Sequence, residues 1–202
     1  MEEAVPAPAY LCREKDTEQM HLCVGYRALP LGSPHVYRQA VMNGILGGGM
    51  SSRLFQRIRE ELGMAYSVYS GPSAYPGCGD FTIYAATTPK NAEKVLEQID
   101  GELEKLLREG VTEKEFIQSK AQLKGSFILG LESAFNRMNS MGANLMMRDR
   151  LIAPDETIHG VEQVTMEDVR AAVQDLLTAP RSIALVGRQA EKTLARMKKQ
   201  SL

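Results

Sequence analysis

The run Gly47-Gly48-Gly49-Met50-Ser51-Ser52, continued by Arg53 to Leu62 and then Gly63, constrains the fold more than any other stretch of the chain. Glycine loses more conformational freedom on folding than any other residue. Three in a row therefore predict a place where backbone bends sharply or comes very close to a neighbour. Ser51 or Ser52 stands where an N-cap serves the helix that follows. Leu54, Ile58 and Leu62 recur at i, i+4 and i+8, one apolar stripe that Phe55 widens. Gly63 falls where a helix takes its left-handed last residue. Ala65-Tyr66-Ser67-Val68-Tyr69-Ser70 then alternates in the manner of a strand. The expectation is a tight helix-to-strand corner with Arg59 and Tyr66 at its two ends, presenting a guanidinium and a phenol side by side.

The rest of the chain reads as strands and helices around that corner. A short strand is expected over Tyr10 to Lys15, and a second from Met20 to Tyr26, where apolar Met20, Leu22, Val24 and Tyr26 alternate with His21, Cys23 and Gly25. Val36 to Leu46 reads as a helix with Val36, Ala40, Val41 and Ile45 on its apolar side. Pro76-Gly77-Cys78-Gly79 is a turn into a strand over Phe81 to Ala86, so Tyr66 to Ala86 forms a hairpin. Asn91 caps a helix carrying Val95, Ile99, Leu103 and Leu106. Thr112 and Glu115 have capping-box spacing. Ser133 starts a helix whose Met138, Met141 and Leu145 are expected to point inward. Pro154 and Thr165 open two more helices, and Arg181 to Gly187 is a last strand. The fold class is α+β, an antiparallel-rich sheet with helices packed on it. One domain spans residues 1–202, with a core over about 10–187 and a charged tail, expected to be helical, over 188–202.

Composition excludes several function classes. The 202 residues carry a net charge of −1, so no global basic field points to nucleic acid or a membrane surface. No apolar run reaches spanning length, and the acidic start Met1-Glu2-Glu3 is unlike a secretory signal. Three oddly spaced cysteines, Cys12, Cys23 and Cys78, fit neither a disulfide framework nor a zinc site, and a cytoplasmic location is expected. His21, His35 and His159 stand apart, and no His-x-x-Glu-His pattern places two imidazoles on one helical face. The glycine run lacks the Lys-Ser or Lys-Thr of a phosphate loop. For Arg59 and Tyr66, residue chemistry alone leaves two readings open. Both can donate to peptide carbonyls, or Arg59 pairs with Glu60 or Glu61 while Tyr66 fills a sheet face. Arg57 competes for the arginine role.

The contiguous stretch GGGMSSRLFQRIREELGMAYSVYSG resembles the signature of the C-terminal half of zinc peptidases of the pitrilysin, insulinase and mitochondrial-processing-peptidase family. A looser resemblance runs from about Tyr10 to Gly187. It implies a processing-peptidase-like domain that binds no metal itself. Zinc, its ligands and the general-base glutamate would lie in an N-terminal zinc-bearing domain or subunit, the expected partner, and peptide would be the substrate. By the same resemblance Arg59 and Tyr66, seven residues apart, are catalytic and substrate-binding residues reaching toward that zinc, and Phe55 lines the peptide groove. Arg137 is a lesser candidate for the inner chamber. The chain is expected to be a domain of a longer polypeptide or a separate subunit, inactive alone, and prone to self-association through an uncovered interface. A catalytically inactive scaffold or assembly subunit of the same fold is the alternative.

Overall fold

The computed structural model describes residues 7–200, with side chains through residue 198. One five-stranded sheet runs in the order β1-β5-β2-β4-β3. Its strands are β1 (Tyr10–Glu14), β2 (Met20–Arg27), β3 (Ala65–Tyr75), β4 (Cys78–Thr87) and β5 (Arg181–Gly187). Among the described residues only β1 and β5 pair in parallel, and the other pairings are antiparallel. This is the expected α+β architecture.

Strand alternation separates two faces. Met20, Leu22 and Val24 of β2, Phe81, Ile83 and Ala85 of β4, and Ile183 and Leu185 of β5 are buried in one core. That core is closed by α1 (Val36–Leu46), α2 (Ala92–Glu109), α6 (Met166–Thr178) and α7 (Ala190–Gln200). Val95, Ile99, Leu103 and Leu106 of α2 are all buried, as their helical spacing predicts. Leu194 and Met197 of α7 are buried too, so the charged segment after Gly187 contributes to the core. His21, Cys23, Tyr84 and Tyr69 point to the other face, which stays open.

Capping chemistry sets two helix starts as expected. Thr112 and Glu115 form a complete capping box at α3 (Glu113–Gly130), and Thr165 with Asp168 forms one at α6. Ser133 caps α4 (Ala134–Arg148) by accepting from the Asn136 amide, and Pro154 opens α5 (Pro154–Gln163). Asn91 sits at the N-cap of α2, but its side chain makes no capping bond.

The inward packing expected of α4 does not occur. No residue of α4 is buried, and Met138, Met141 and Leu145 are each more than half exposed. Helical spacing cannot say whether an apolar stripe has anything to pack against. A cavity of 490 Å³ lies between α4 and the starts of α1 and α5, bordered by Tyr37, Phe127, Met141 and Arg137.

One ion pair ties the glycine-run corner to the helical layer. Arg53 donates from Nε and Nη2 to the Glu115 carboxylate at 2.6 and 2.9 Å, and from Nη2 to the Gly110 carbonyl at 2.9 Å. Burial pushes the Glu115 carboxyl up, but the bonds from Arg53 and from the Thr112 amide and hydroxyl outweigh it and hold its pKa at about 2. The folded value lies below the ordinary 4.5, so the unfolded chain binds more protons in this window. The stabilisation is present above that ordinary value and is lost as pH falls toward the folded one. Arg53→Met is expected to lower unfolding free energy at neutral pH by about 2 kcal/mol, as expected for breaking a half-buried pair, and to flatten the loss of stability between neutral and strongly acid pH. Urea titrations of both proteins across that range check both parts.

Candidate functional site

The corner is built differently from an ordinary capped helix. Residues Phe55–Glu61 form a π-helix, not the expected α-helix, with the Leu62 amide donating to the Arg57 carbonyl five residues back. Neither Ser51 nor Ser52 caps it. The Ser52 hydroxyl instead donates to the Gly49 carbonyl, stiffening the glycine turn. Leu54 and Ile58 are fully buried, while Leu62 is only partly so. Gly63 takes the predicted left-handed conformation, with φ of +58°. The Thr87 hydroxyl donates to the Met64 carbonyl and fastens the exit of the corner to β4.

The glycine run comes as close to a neighbour as its composition predicts. The Ser70 amide donates to the Gly47 carbonyl at 3.0 Å, and the Ser70 hydroxyl to Asn43 Oδ1 at 2.7 Å. A Cβ at residue 47 would lie 2.4 Å from Ser70 Oγ and 2.8 Å from its backbone nitrogen. The run is thus laid against the outer edge of β3.

Tyr66 is re-aimed by a β-bulge. Val68 and Ser70 are buried, so strict alternation would carry Tyr66 inward as well. The β3–β4 register slips between Ala65 and Ser67, and Tyr66 is the extra residue. Ala65 takes the buried position and Tyr66 is 60% exposed. The regular alternation expected from Ala65 to Ser70 is therefore broken at the residue singled out for function.

The three arginines of the corner are differently engaged. Arg53 is locked by Glu115. Arg57 donates to Gln98 of α2 at 3.2 Å and to Glu61 at 2.8 Å. Arg59 has only a 3.9 Å approach to Glu60, and its guanidinium lies 4.9 Å from the centre of the Phe55 ring. A charge contact at that length on the surface contributes little. The ring holds the guanidinium on the outer side of the π-helix without using its N–H donors. Phe55, Arg59 and Tyr66 thus occupy one corner, whereas Arg137 borders the cavity under α4.

The three histidines stand apart from this corner and from one another. His21 accepts or donates at Nδ1 with the Tyr84 hydroxyl at 2.7 Å, His35 precedes α1, and His159 lies on α5. Among the described residues, no three His, Cys, Asp or Glu side chains converge on a common point. No helix among them is long and apolar enough to cross a membrane.

Residues 2–123 match the family described as Peptidase M16 inactive domain. The chain belongs to the peptidase M16 family, as its inactive domain. It is 42% identical over 176 residues to the uncharacterized zinc protease YmxG of Bacillus subtilis, covering 87% of this chain and 43% of that one. It is 36% identical over 183 residues to an uncharacterized zinc protease of Streptomyces coelicolor, covering 91% and 40%. The crystal structure of a peptidase M16 inactive domain from Pseudomonas fluorescens superposes with a TM-score of 0.82 at 26% identity, over 93% of this chain and 45% of that one. The M16 chain described here thus spans less than half the length of these relatives.

The M16 corner separates residues that hold the fold from residues that do not. Gly47→Ala is expected to destabilise by about 2 kcal/mol, because the new Cβ meets backbone as well as side chain. Arg59→Ala and Tyr66→Phe are expected to shift stability by no more than about 0.5 kcal/mol, as exposed side chains with no hydrogen-bonded partner do. Denaturant midpoints of the three variants check this contrast.

Proposed function

We propose that this chain is the substrate-holding half of a zinc metallopeptidase that hydrolyses peptides or unfolded polypeptides. The observation that carries the reading is that Arg59 and Tyr66 both stand exposed at the helix-to-strand corner. Their donors are left uncommitted at one rigid corner, while Arg53 and Arg57 beside them are bound internally. A peptidase must hold an extended chain by its carbonyls and stabilise negative charge on the scissile carbonyl oxygen. Guanidinium and phenol hydroxyl both donate, and neither needs to read side chains. Phe55 supplies an apolar surface beside them. Zinc and the activation of water belong, on this reading, to an N-terminal domain bearing the His-x-x-Glu-His motif, in the same polypeptide or in a separate subunit. The relatives are named zinc proteases and are more than twice the matched length, which supports such a partner.

One further feature supports a half-molecule, and another bears on its compartment. The apolar side of α4, with Phe135 and Met138 each more than 60% exposed, is the kind of surface that a second domain or copy covers. The three free cysteines are in keeping with a reducing compartment, the cytoplasm.

The test combines this chain with its zinc-bearing half and follows cleavage of an unstructured peptide. Activity is expected only in the combination, reduced about ten-fold or more by Arg59→Ala and by Tyr66→Phe, since losing one transition-state donor typically has at least that effect. Full activity in both variants would remove these residues from the mechanism. An assembled, zinc-loaded combination inactive on diverse peptides would favour the scaffold reading.

A further inference from the structure

We propose that the open face of the sheet carries a specificity subsite that takes a bulky apolar side chain of the bound peptide, with Tyr69, Tyr84 and His21 as its wall. The inference rests on the peptide-holding reading of Arg59 and Tyr66 and deepens it.

The three side chains form a diagonal ladder across β3, β4 and β2. Tyr69 and Tyr84 are cross-strand partners with ring centres 4.9 Å apart, and His21 binds the Tyr84 hydroxyl through Nδ1 at 2.7 Å. Tyr84 is therefore held from both sides, while Tyr69 is 53% exposed. A plain cross-strand aromatic pair would merely stabilise the sheet. Two observations go further.

The first is the relief beside the ladder. The next outward row is Gly25, Thr82 and Gly71, paired in register across the same three strands. A Cβ built on either glycine meets nothing within 4 Å. The aromatic wall thus stands over an empty shelf, which runs on past Gly25 into a cavity of 310 Å³ bordered by Asp80 and Ser182. Aromatic rings with one face packed and the other open bind apolar side chains by dispersion and loss of apolar surface to water.

The second is position. The bulge turns Tyr66 outward on the same strand as Tyr69, three residues away. At roughly 3.3 Å per residue that is about 10 Å. An extended peptide held by a carbonyl at Tyr66 and running along β3 places the side chain about three residues further on beside Tyr69, and those beyond it over the shelf at Gly71. Ala86, Cys23 and Thr82 surround the ladder with small uncharged groups, and the charged Asp80 and Arg27 border only the cavity beyond Gly25, so a charged guest seated against the rings would lose hydration with no partner in contact.

The test uses this chain and a set of unstructured host peptides identical except for one guest residue: Phe, Leu, Ala or Asp. Affinity is measured by NMR titration, following the His21 and tyrosine ring signals. The Phe and Leu guests are expected to bind about five-fold or more tightly than Ala and Asp, with the His21 and Tyr84 signals shifting on binding. Tyr69→Ala and Gly71→Val are each expected to abolish that preference. Gly71→Val fills open space with a residue suited to a strand, so its stability should hold while the preference goes, which a merely structural role would not produce. Equal affinity for all four guests, or a preference that survives both substitutions, overturns the proposal. Ring signals that move with protein concentration alone would assign the face to a second copy and overturn it as well. The preference is read without the zinc-bearing half. Its failure therefore leaves Arg59 and Tyr66 standing, and their failure in the cleavage experiment leaves the guest preference to be judged by itself.

Discussion

The hydrogen bond from the Ser70 amide to the Gly47 carbonyl is possible only because residue 47 has no side chain, and the corner depends on it. β3 is an edge strand, so its outward donors are exposed to unwanted pairing. Gly47 satisfies one of them. Two residues on, Pro72 has no donor to offer. The same contact fixes where the chain enters the π-helix, and the bond from Thr87 to Met64 fixes where it leaves. Arg53, reaching to Glu115 and Gly110, then sets that helix against the α2–α3 connection. With both ends and one side pinned, the orientation of the remaining side chains is no longer free.

What the pinning leaves over is informative. A helix with one face buried and three arginines can satisfy all three internally. Here Arg53 and Arg57 are satisfied and Arg59 is not, although Glu60 and Glu61 lie next to it in sequence. Glu61 is taken by Arg57 at i, i+4, which is the geometry a helical pair favours. Glu60, adjacent to Arg59 in sequence, points from a neighbouring face and reaches no closer than 3.9 Å. Which of Arg57 and Arg59 keeps its guanidinium unengaged follows from which acidic residue each can reach.

The legibility of this fold follows the range of the interactions involved. Patterns with a local cause were readable: the alternation of β2, the stripe of α2, the capping box at Thr112, the helix start at Thr165, and Gly63 in its left-handed position. The glycine run announced a close approach, though not that the neighbour would be Ser70. Features set by the partner strand or by what lies beyond an element were not readable. The bulge at Tyr66 belongs to the register between β3 and β4 and leaves no mark in a six-residue alternation. The π-winding of Phe55–Glu61 accommodates a corner tied at both ends, and the i, i+4 spacing of Leu54 and Ile58 does not reveal it. For α4 the apolar spacing was real, but spacing records an apolar side and is silent on what covers it.

Exposure gives a physical reason why such a corner would be inert by itself. Arg59 is 47% exposed and Tyr66 is 60% exposed, so in the separate chain both donors face water. A donor in water already has a partner, and at a dielectric near that of bulk solvent its attraction for a developing negative charge is weak, on the order of 1 kcal/mol at contact. On the proposed reading the same donors act far more strongly where water is excluded, and without reorganising, because the π-helix and the bulge already fix where they stand. On the proposed reading the two requirements fall to different parts of the molecule. This domain supplies the aim through Gly47, Arg53 and the displaced register of β3, and closure against a second domain supplies the low-dielectric setting in which that aim has an effect.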